Sequence, residues 1–388
     1  MEINKDLRRK RLAVAAYYFV PGVVFASWAS RIPDVKHMLN LSNGQLGSVL
    51  FAIPIGQVVM MAFSGILVNK FGSKKMVLLA EVLYALVLFG IGCSNSVFHL
   101  ILGLVGFGMM ANLMNIATNT QACLVEKMYG RNIMSSFHGL WSLGGFAGGI
   151  IGAIFANTVL PIAGHFGVIL VVSLLILALG FNHLVNDATA KAEEEDVPKF
   201  SFRTIDPVLF LLGLMGFAGM FCEGTVYDWS GVYFSSVVKP DEAFIRAGYV
   251  AGMGAMTLGR FLADGFVTKY GPSRVLKTCG GLIVTGLWLA AALPYLVPAT
   301  LGFLLVGFGI SSSVPICYSI AGKLGTIKAS IAITIVSSIS FFGFLVGPPV
   351  IGWLSEATNL RIALSIAACL GLMIAFISVK VNKRLKGI

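Results

Sequence analysis

The segment GILVNKFGSKK, Gly65–Lys75, marks the point where a long apolar stretch ends in a basic segment. The apolar residues before it, from about residue 44, are numerous enough to cross a bilayer as a helix, which takes about 20 residues. A second stretch, Gly259–Gly271, ends in TKYG where the first has NKFG, and these tetrapeptides begin at residues 268 and 69, 199 positions apart. The pattern predicts two membrane-spanning helices at equivalent places in a repeat.

The composition of the chain is that of a protein in lipid rather than in water. Of its 388 residues, 57% are hydrophobic and only 12% are charged, whereas soluble domains carry about 25% charged residues. Glycine accounts for 45 residues, which is typical of membrane helices that pack closely against one another. These values predict an all-α membrane protein that crosses the bilayer several times.

The distribution of apolar residues predicts twelve transmembrane helices, six before and six after a polar stretch near residue 195. The first is expected to be a retained span rather than a signal peptide, because its apolar part is too long for such a segment. The twelve candidate spans are 12–33, 44–67, 76–94, 98–123, 134–158, 164–185, 207–236, 244–267, 275–296, 299–322, 330–355 and 360–380.

Lysine and arginine are distributed unequally over the two sides that these spans define. Of 28 such residues, 22 lie on the side of the N-terminus, five lie in or border segments on the other side, and Arg260 lies within a span. An excess of positive charge marks the cytoplasmic side, so both termini are expected in the cytoplasm. Short loops are typical of a bacterial inner membrane protein, and the net charge of +11 then requires no nucleic-acid partner.

Short matches indicate that the second half of the chain repeats the first. The sequence VGFG occurs at 105–108 and at 306–309, 201 positions apart, and a Ser-Ser pair followed by a glycine at 135–145 recurs 202 positions later at 337–347. Together with the first match, these offsets are nearly constant. They predict an N-terminal six-helix bundle at 1–185, a cytoplasmic linker at 186–206 and a C-terminal six-helix bundle at 207–388.

Gly65–Lys75 resembles the signature between helices 2 and 3 of the major facilitator superfamily, and GRFLAD, Gly259–Asp264, is similar to its counterpart in the second half. The resemblance implies two six-helix bundles related by pseudo-two-fold symmetry, with a substrate site near the midplane between the halves. Asn69 stands where the family usually has aspartate. In the family this acid forms an ion pair in the cytoplasmic gate. The resemblance therefore implies such a role only in the second half, for Arg260 and Asp264.

Within that superfamily, WASRIP, Trp28–Pro33, and the glycine-rich fifth span are similar to the fucose-permease-like branch of sugar–proton symporters. This resemblance implies a sugar as the solute and a proton as the coupling ion. Members of the branch typically carry an acid in the first span, whereas the first span here has none before Asp34.

The stretch GMFCEGTVYDWSGVYF, Gly219–Phe234, places two acids in an otherwise apolar span. An ionisable group inside a membrane helix is costly and is by default a functional candidate. If the span starts near Pro207, Glu223 lies roughly 24 Å along it, past the midplane. Glu223 is expected either to bind and release the coupling proton, as a carboxyl group in a low-dielectric cavity can, or to be a buried acid hydrogen-bonded to a neighbouring helix.

Asp228 lies five residues after Glu223, about 140° further around the helix, so the two acids occupy different faces. It should lie near the outer surface, at the height of Arg31 in the first span. One interpretation is an ion pair of Asp228 with Arg31 that forms in one conformation, breaks in another and so acts as a gate. The alternative is an interfacial charge that simply extends to water.

Polar side chains in the first half are candidates for binding the solute. Asn112, Asn115 and Asn119 in the fourth span fall at i, i+3 and i+7, so they form one stripe on a helix. Amides buried in lipid face partners or a water-filled cavity. The stripe therefore either hydrogen-bonds a polar solute or joins neighbouring helices.

Four further side chains complete the candidate solute site, namely Gln57 near mid-membrane, His138 and Trp141 on one face of the fifth span, and Trp28. His138 is either a proton relay or a structural residue near the cytoplasmic end. Each tryptophan could stack on a sugar ring, and the aromatic belts at the membrane interfaces are the competing explanation, particularly for Trp28.

No Walker, HExxH or GxSxG sequence occurs in the chain, so neither ATP-driven transport nor an enzyme is supported. The six cysteines stand singly without CxxC spacing, so neither a metal site nor a cofactor is expected. We expect a monomeric secondary transporter that moves a small polar solute and protons by alternating access. The alternatives are a proton-coupled efflux antiporter for amphipathic compounds and a non-transporting membrane receptor or intramembrane enzyme.

Overall fold

The computed structural model describes residues 5–130, 133–187, 206–324 and 329–385, and no β-strand occurs within these ranges. Most of the linker predicted at 186–206 lies outside them. The first seven helices are α1 (Lys5–Met38), α2 (Asn43–Leu50), α3 (Ala52–Phe71), α4 (Ser73–Gly92), α5 (Val97–Tyr129), α6 (Met134–Ala156) and α7 (Ile162–Phe181). The others are α8 (Pro207–Tyr233), α9 (Ala247–Tyr270), α10 (Pro272–Ala292), α11 (Leu296–Lys323), α12 (Ala329–Ala357) and α13 (Leu360–Leu385).

Eleven helical segments in the described part of the chain are long and apolar enough to cross a membrane. One of them, Asn43–Phe71, joins α2 and α3 across a turn at Phe51. The helix α9 has the length of a span, at 24 residues, but Arg260, Asp264 and Lys269 lower its hydropathy. With α9 included, the helices correspond to the twelve predicted spans.

The helices form two compact units, which are unit 1 (Met1–Asn40 and Val49–Glu195) and unit 2 (Leu41–Ser48 and Asp196–Ile388). In unit 1, α1 packs on α6, α3 packs on α5, and α4 packs on both α5 and α7. In unit 2, α8 packs on α12, α9 packs on α11, and α10 packs on both α11 and α13. The internal packing of the second unit therefore repeats that of the first, helix by helix.

The tetrapeptides NKFG and TKYG owe their likeness to the way in which two helices end. Gly72 follows the last residue of α3 with φ at 83°, and Gly271 follows the last residue of α9 with φ at 79°. L side chains rarely adopt such a φ, which glycine adopts readily. Each glycine ends one span, and the next span, α4 or α10, begins at the following residue.

Close backbone contacts fix the register of the repeat at 199 residues. A Cβ atom added to Gly108 in α5 would overlap the carbonyl oxygen of Ile53 in α3. A Cβ atom added to Gly307 in α11 would overlap the carbonyl oxygen of Gly252 in α9. Gly307 lies 199 positions after Gly108, and Gly252 lies 199 positions after Ile53. The same offset separates Gly72 from Gly271. The two VGFG segments, which are 201 positions apart, are thus two residues out of the structural register.

The helices α1 and α6 approach until their backbones touch. A Cβ atom at Gly22 would overlap the carbonyl oxygen of Trp141, and one at Gly144 would overlap that of Phe19. In unit 2, Gly343 of α12 lies 199 positions after Gly144 and packs on the backbone of α8 in the same way. Small residues at such crossings are what allow membrane helices to pack this closely.

The helix α8 occupies the interior of unit 2. It starts with Pro207, which suits the first helical position because that N–H lacks an intrahelical partner, and the Asp206 carboxylate accepts from the N–H of Val208 at 2.8 Å. All residues from Phe221 to Tyr233 are buried. Both acids predicted to be functional therefore lie in the buried half of this helix.

Candidate functional site

Glu223 and Arg260 form an ion pair inside unit 2. Arg260 Nη2 donates to Glu223 Oε1 at 3.3 Å, and the Tyr227 hydroxyl donates to the same oxygen at 3.5 Å. Glu223 projects from α8 and Arg260 from α9, and they are 37 residues apart in the chain. Asp264, which we predicted to share a gate with Arg260, also lies on α9, but its side chain is outside the described residues.

The surroundings of this pair determine its chemistry. Glu223 is 9% exposed, and the Arg260 side chain is 22% exposed. Two charges in such surroundings are costly unless they are paired and hydrogen-bonded. A proton on Glu223 removes the negative charge that Arg260 faces, so protonation and this ion pair exclude each other.

Asp228 lies on the same helix and is also buried, at 6% exposure. Its carboxylate lies within electrostatic range of the Tyr249 hydroxyl on α9. The rings of Tyr227 and Tyr249 lie 6.1 Å apart between centroids, so a pair of tyrosines connects the surroundings of Glu223 with those of Asp228. The ion pair of Asp228 with Arg31 stays a prediction.

Arg31 has partners within unit 1 that the sequence analysis did not identify. Its Nη1 donates to Asp34 at 3.1 Å, and its Nε donates to His165 Nδ1 at 3.2 Å. His165, on α7, is fully buried and stacks on Phe155 with ring centroids 4.9 Å apart. Because Nδ1 accepts a hydrogen bond, the neutral ring carries its proton on Nε2. A single histidine in an apolar span was the one feature of the sequence that pointed to this group.

The three asparagines of α5 are engaged in two separate sets of hydrogen bonds. The Ser64 hydroxyl on α3 donates to Asn112 Oδ1 at 2.7 Å. Asn119 Nδ2 donates to Asn115 Oδ1 at 2.6 Å, and the Tyr18 hydroxyl on α1 donates to Asn119 Oδ1 at 2.5 Å. The stripe thus joins helices of unit 1, and Asn115 remains exposed. Tyr18 was missed because a tyrosine in an apolar span has no distinctive spacing.

The remaining predicted residues differ in how accessible they are. His138 is exposed, and its ring meets that of Tyr18 edge-on at 5.3 Å. Trp141 is partly exposed and lies 6.2 Å from the ring of Phe25. Gln57 Oε1 is buried without a hydrogen-bond partner among the described residues, and Trp28 is fully buried. In this conformation His138, Trp141 and Asn115 present surface, whereas Trp28 does not.

Comparison with known proteins agrees with this architecture. The sequence profile of the Major Facilitator Superfamily matches residues 14–326. An uncharacterized MFS-type transporter of Yersinia pestis is 32% identical over 359 residues, which are 92% of each chain. A crystallised variant of the nucleoside transporter NupG has a TM-score of 0.75 at 14% identity, covering 96% of this chain and 99% of its own.

A bacterial homologue of the human lysosomal transporter Spinster has a TM-score of 0.77 at 12% identity and covers 98% of both chains. These likenesses confirm the predicted all-α membrane fold, and the protein is a transporter rather than an enzyme. They do not distinguish the fucose-permease-like branch, which stays a prediction. The chain belongs to the Major Facilitator Superfamily.

Proposed function

We propose that this transporter is a proton-coupled symporter for a small polar solute, a sugar or sugar derivative, which it moves by alternating access. The ion pair of Glu223 and Arg260 in the interior of unit 2 is the observation that supports the proposal most directly. Charges within membrane spans are rare and mark proton or substrate pathways. A pair of charges is costly in this buried position, and a carboxylate that exchanges a proton in each transport cycle would explain why the protein has one there.

In the proposed cycle, Glu223 exchanges its bond to Arg260 for a proton. The ionised carboxylate accepts from Arg260 Nη2 and from the Tyr227 hydroxyl. The protonated carboxyl group carries no charge and holds the guanidinium far less strongly. Arg260 then turns to another acceptor, so that one proton changes which groups α8 and α9 present to the solute.

The polar side chains of unit 1 support a solute rich in hydroxyl groups. Asn112, Asn115 and Asn119 carry amides that both donate and accept, and Asn115 is exposed. Trp141 offers a partly exposed ring of the kind on which a sugar stacks. In the proposal, these side chains bind the solute together with Gln57, Trp28 and His138.

Four charged residues are the proposed gating residues, namely Arg31, Asp228, Arg260 and Asp264. A gating role for Arg31 is supported by its hydrogen bonds to His165 and Asp34, because polar contacts of this kind can be exchanged for others. The ion pair of Arg260 with Glu223 supports a gating role for Arg260 in the same way. We propose that each changes partner during the cycle.

The proposed location is a bacterial inner membrane, with the protein monomeric and both termini in the cytoplasm. Lys70 at the end of α3, Lys74 at the start of α4 and Lys127 at the end of α5 support this orientation. Consecutive spans alternate in direction, so these three lysines lie at the same end of unit 1 as the basic start of α1. The excess of positive charge at that end is the mark of the cytoplasmic side.

The test is proton-driven uptake by the purified chain in liposomes, with Glu223→Gln as the variant and Glu242→Gln as its matched control. Glutamine keeps the size of the side chain but cannot ionise, and Glu242 is an exposed acid in the short helical turn Glu242–Phe244. We expect Glu223→Gln to abolish uptake driven by a proton gradient while solute exchange persists. Unchanged proton-driven uptake would overturn the assignment of Glu223.

The solute for that assay comes from a thermal-shift screen of hexoses, sugar acids, nucleosides and lipophilic cations at an acidic and a neutral pH. A stereospecific sugar hit whose shift depends on pH, and loses that dependence in Glu223→Gln, supports the proposal. Broad shifts from lipophilic cations alone favour the efflux antiporter for amphipathic compounds. Binding without flux in liposomes favours a receptor.

A further inference from the structure

A groove in unit 2 lies between α9 and α10 and has α11 as its floor. The helix α11 packs extensively on both α9 and α10, whereas those two have few contacts with each other. The resulting cavity has a volume of about 600 Å³, within the ~300–1,000 Å³ of typical ligand sites. We call it the α9–α11 groove. Gly259, where a Cβ atom would overlap the Ser311 hydroxyl, brings α9 against the floor.

The walls of the groove are apolar and open outward. Leu262 and Phe266 are 45% and 50% exposed, and they line the groove one helical turn apart on α9. The residues of α9 that line it run from Gly259 to Tyr270, which is roughly 16 Å along the helix. That length is about half of the ~30 Å hydrocarbon core of a bilayer, so the groove has the depth of one leaflet.

One end of the groove carries positive charge. Arg274, in the first turn of α10, lines this end and is exposed, and Lys277 follows one turn later on the same helix. The ammonium group of Lys269 lies 5.3 Å from the centroid of the Tyr270 ring, so a further cation is held beside the same end of the groove. None of the lining side chains in the described part of unit 2 is acidic. An anion is therefore attracted to the end of a groove whose walls are hydrocarbon.

We propose that the α9–α11 groove binds one anionic phospholipid of the surrounding bilayer, with an acyl chain against Leu262 and Phe266 and the phosphate at Arg274. Basic pockets between membrane helices on the cytoplasmic side suit such head groups. The assignment of this lipid to the cytoplasmic leaflet rests on the proposed orientation of the protein, which places Arg274 at the cytoplasmic face. A lipophilic cation is disfavoured by Arg274, and a sugar by the apolar walls.

Native mass spectrometry of the full chain tests this by counting retained phosphatidylglycerol or phosphatidylethanolamine. Arg274→Gln removes the cation at the groove, and Lys380→Gln is the matched control because Lys380, on α13, lies over Phe376 and does not line the groove. Phe266→Ala shortens an exposed wall without disturbing the interior. One cation near the membrane surface contributes about 1 kcal/mol, so Arg274→Gln is expected to weaken retention of phosphatidylglycerol about fivefold.

The proposal predicts that the wild-type chain and Lys380→Gln retain phosphatidylglycerol in preference to phosphatidylethanolamine, that Arg274→Gln loses the preference, and that Phe266→Ala retains less of both lipids. Equal retention of the two lipids by the wild type would overturn it, as would equal behaviour of Arg274→Gln and Lys380→Gln. Displacement of the lipid by inorganic phosphate would reveal a site for free anions instead. None of these measurements depends on transport, so they stand or fall separately from the proposed symport.

Discussion

The ion pair of Glu223 and Arg260 makes a quantitative prediction about the stability of unit 2. Removing one partner of a fully buried pair costs about 3–5 kcal/mol, because the other charge is left uncompensated. Here the Glu223 side chain is 11% exposed and that of Arg260 is 22% exposed, so water screens part of this cost. Arg260→Gln leaves the more buried charge, that of Glu223, without its partner, and we expect it to destabilise the protein by about 2–3 kcal/mol. Glu223→Gln leaves the less buried charge of Arg260 unpaired and should cost about 1–2 kcal/mol.

The buried cysteines of unit 2 supply the assay. Cys222, Cys279 and Cys317 are free thiols in buried positions, so a dye that fluoresces on reacting with thiols reports when this unit unfolds. At about 2–4 °C per kcal/mol, Arg260→Gln should lower the Tm by roughly 4–12 °C. The other three cysteines, Cys93, Cys123 and Cys369, are exposed, so their thiols react before unfolding and contribute only to the baseline.

The double variant with glutamine at both positions distinguishes a paired from an unpaired arrangement. If the two charges stabilise each other, removing both costs less than the sum of the single changes, and the Tm should recover to within a few degrees of the wild type. Glu242→Gln, at an exposed site, should leave the Tm unchanged. Strictly additive losses in the double variant would refute the pair.

Two further predictions concern unit 1. Gly56→Ala should destabilise the protein by about 1–3 kcal/mol, because the added Cβ atom would overlap the carbonyl oxygen of Val105. Gly65→Ala in the same helix is the control, because its Cβ atom meets open space. Thermal unfolding of both variants checks this, and equal Tm values would contradict it. Tyr18→Phe removes the hydrogen-bond donor to Asn119 and should lower the stability by about 1 kcal/mol, measured as a fall in Tm. In a chain that already carries Asn119→Ala, the same substitution should leave the Tm unchanged.

Hydropathy predicted the helices well because a membrane allows few alternatives to a helix of sufficient length. The bounds were less accurate, since the first helix runs from Lys5 to Met38 although its apolar part was predicted at 12–33. Pro21 and Pro33 lie inside that helix, where a reading of local propensity would end it. Packing in the interior of unit 1 thus outweighs the local preference of these residues.

The partners of the charged residues were harder to predict. The gate of Arg260 with Asp264 on its own helix stays a prediction, whereas the bond of Arg260 to Glu223 on another helix, 37 residues away, was not predicted. Such a pairing depends on how far each helix is rotated about its axis, which hydropathy does not encode. The contact of Arg31 with His165, 134 residues apart, was missed for the same reason. The asparagine stripe was placed on one face correctly because it depends on a single helix, α5.

The contact of α1 with α6 has a mechanical consequence. Where Gly22 and Gly144 bring two backbones together, no flexible side chain lies between them to absorb a displacement. A rotation or slide of α1 would drive its carbonyl groups into the opposite backbone, so α6 has to travel with it. We therefore expect the segments of α1 and α6 around these glycines to move together as one stiff element in any motion of unit 1.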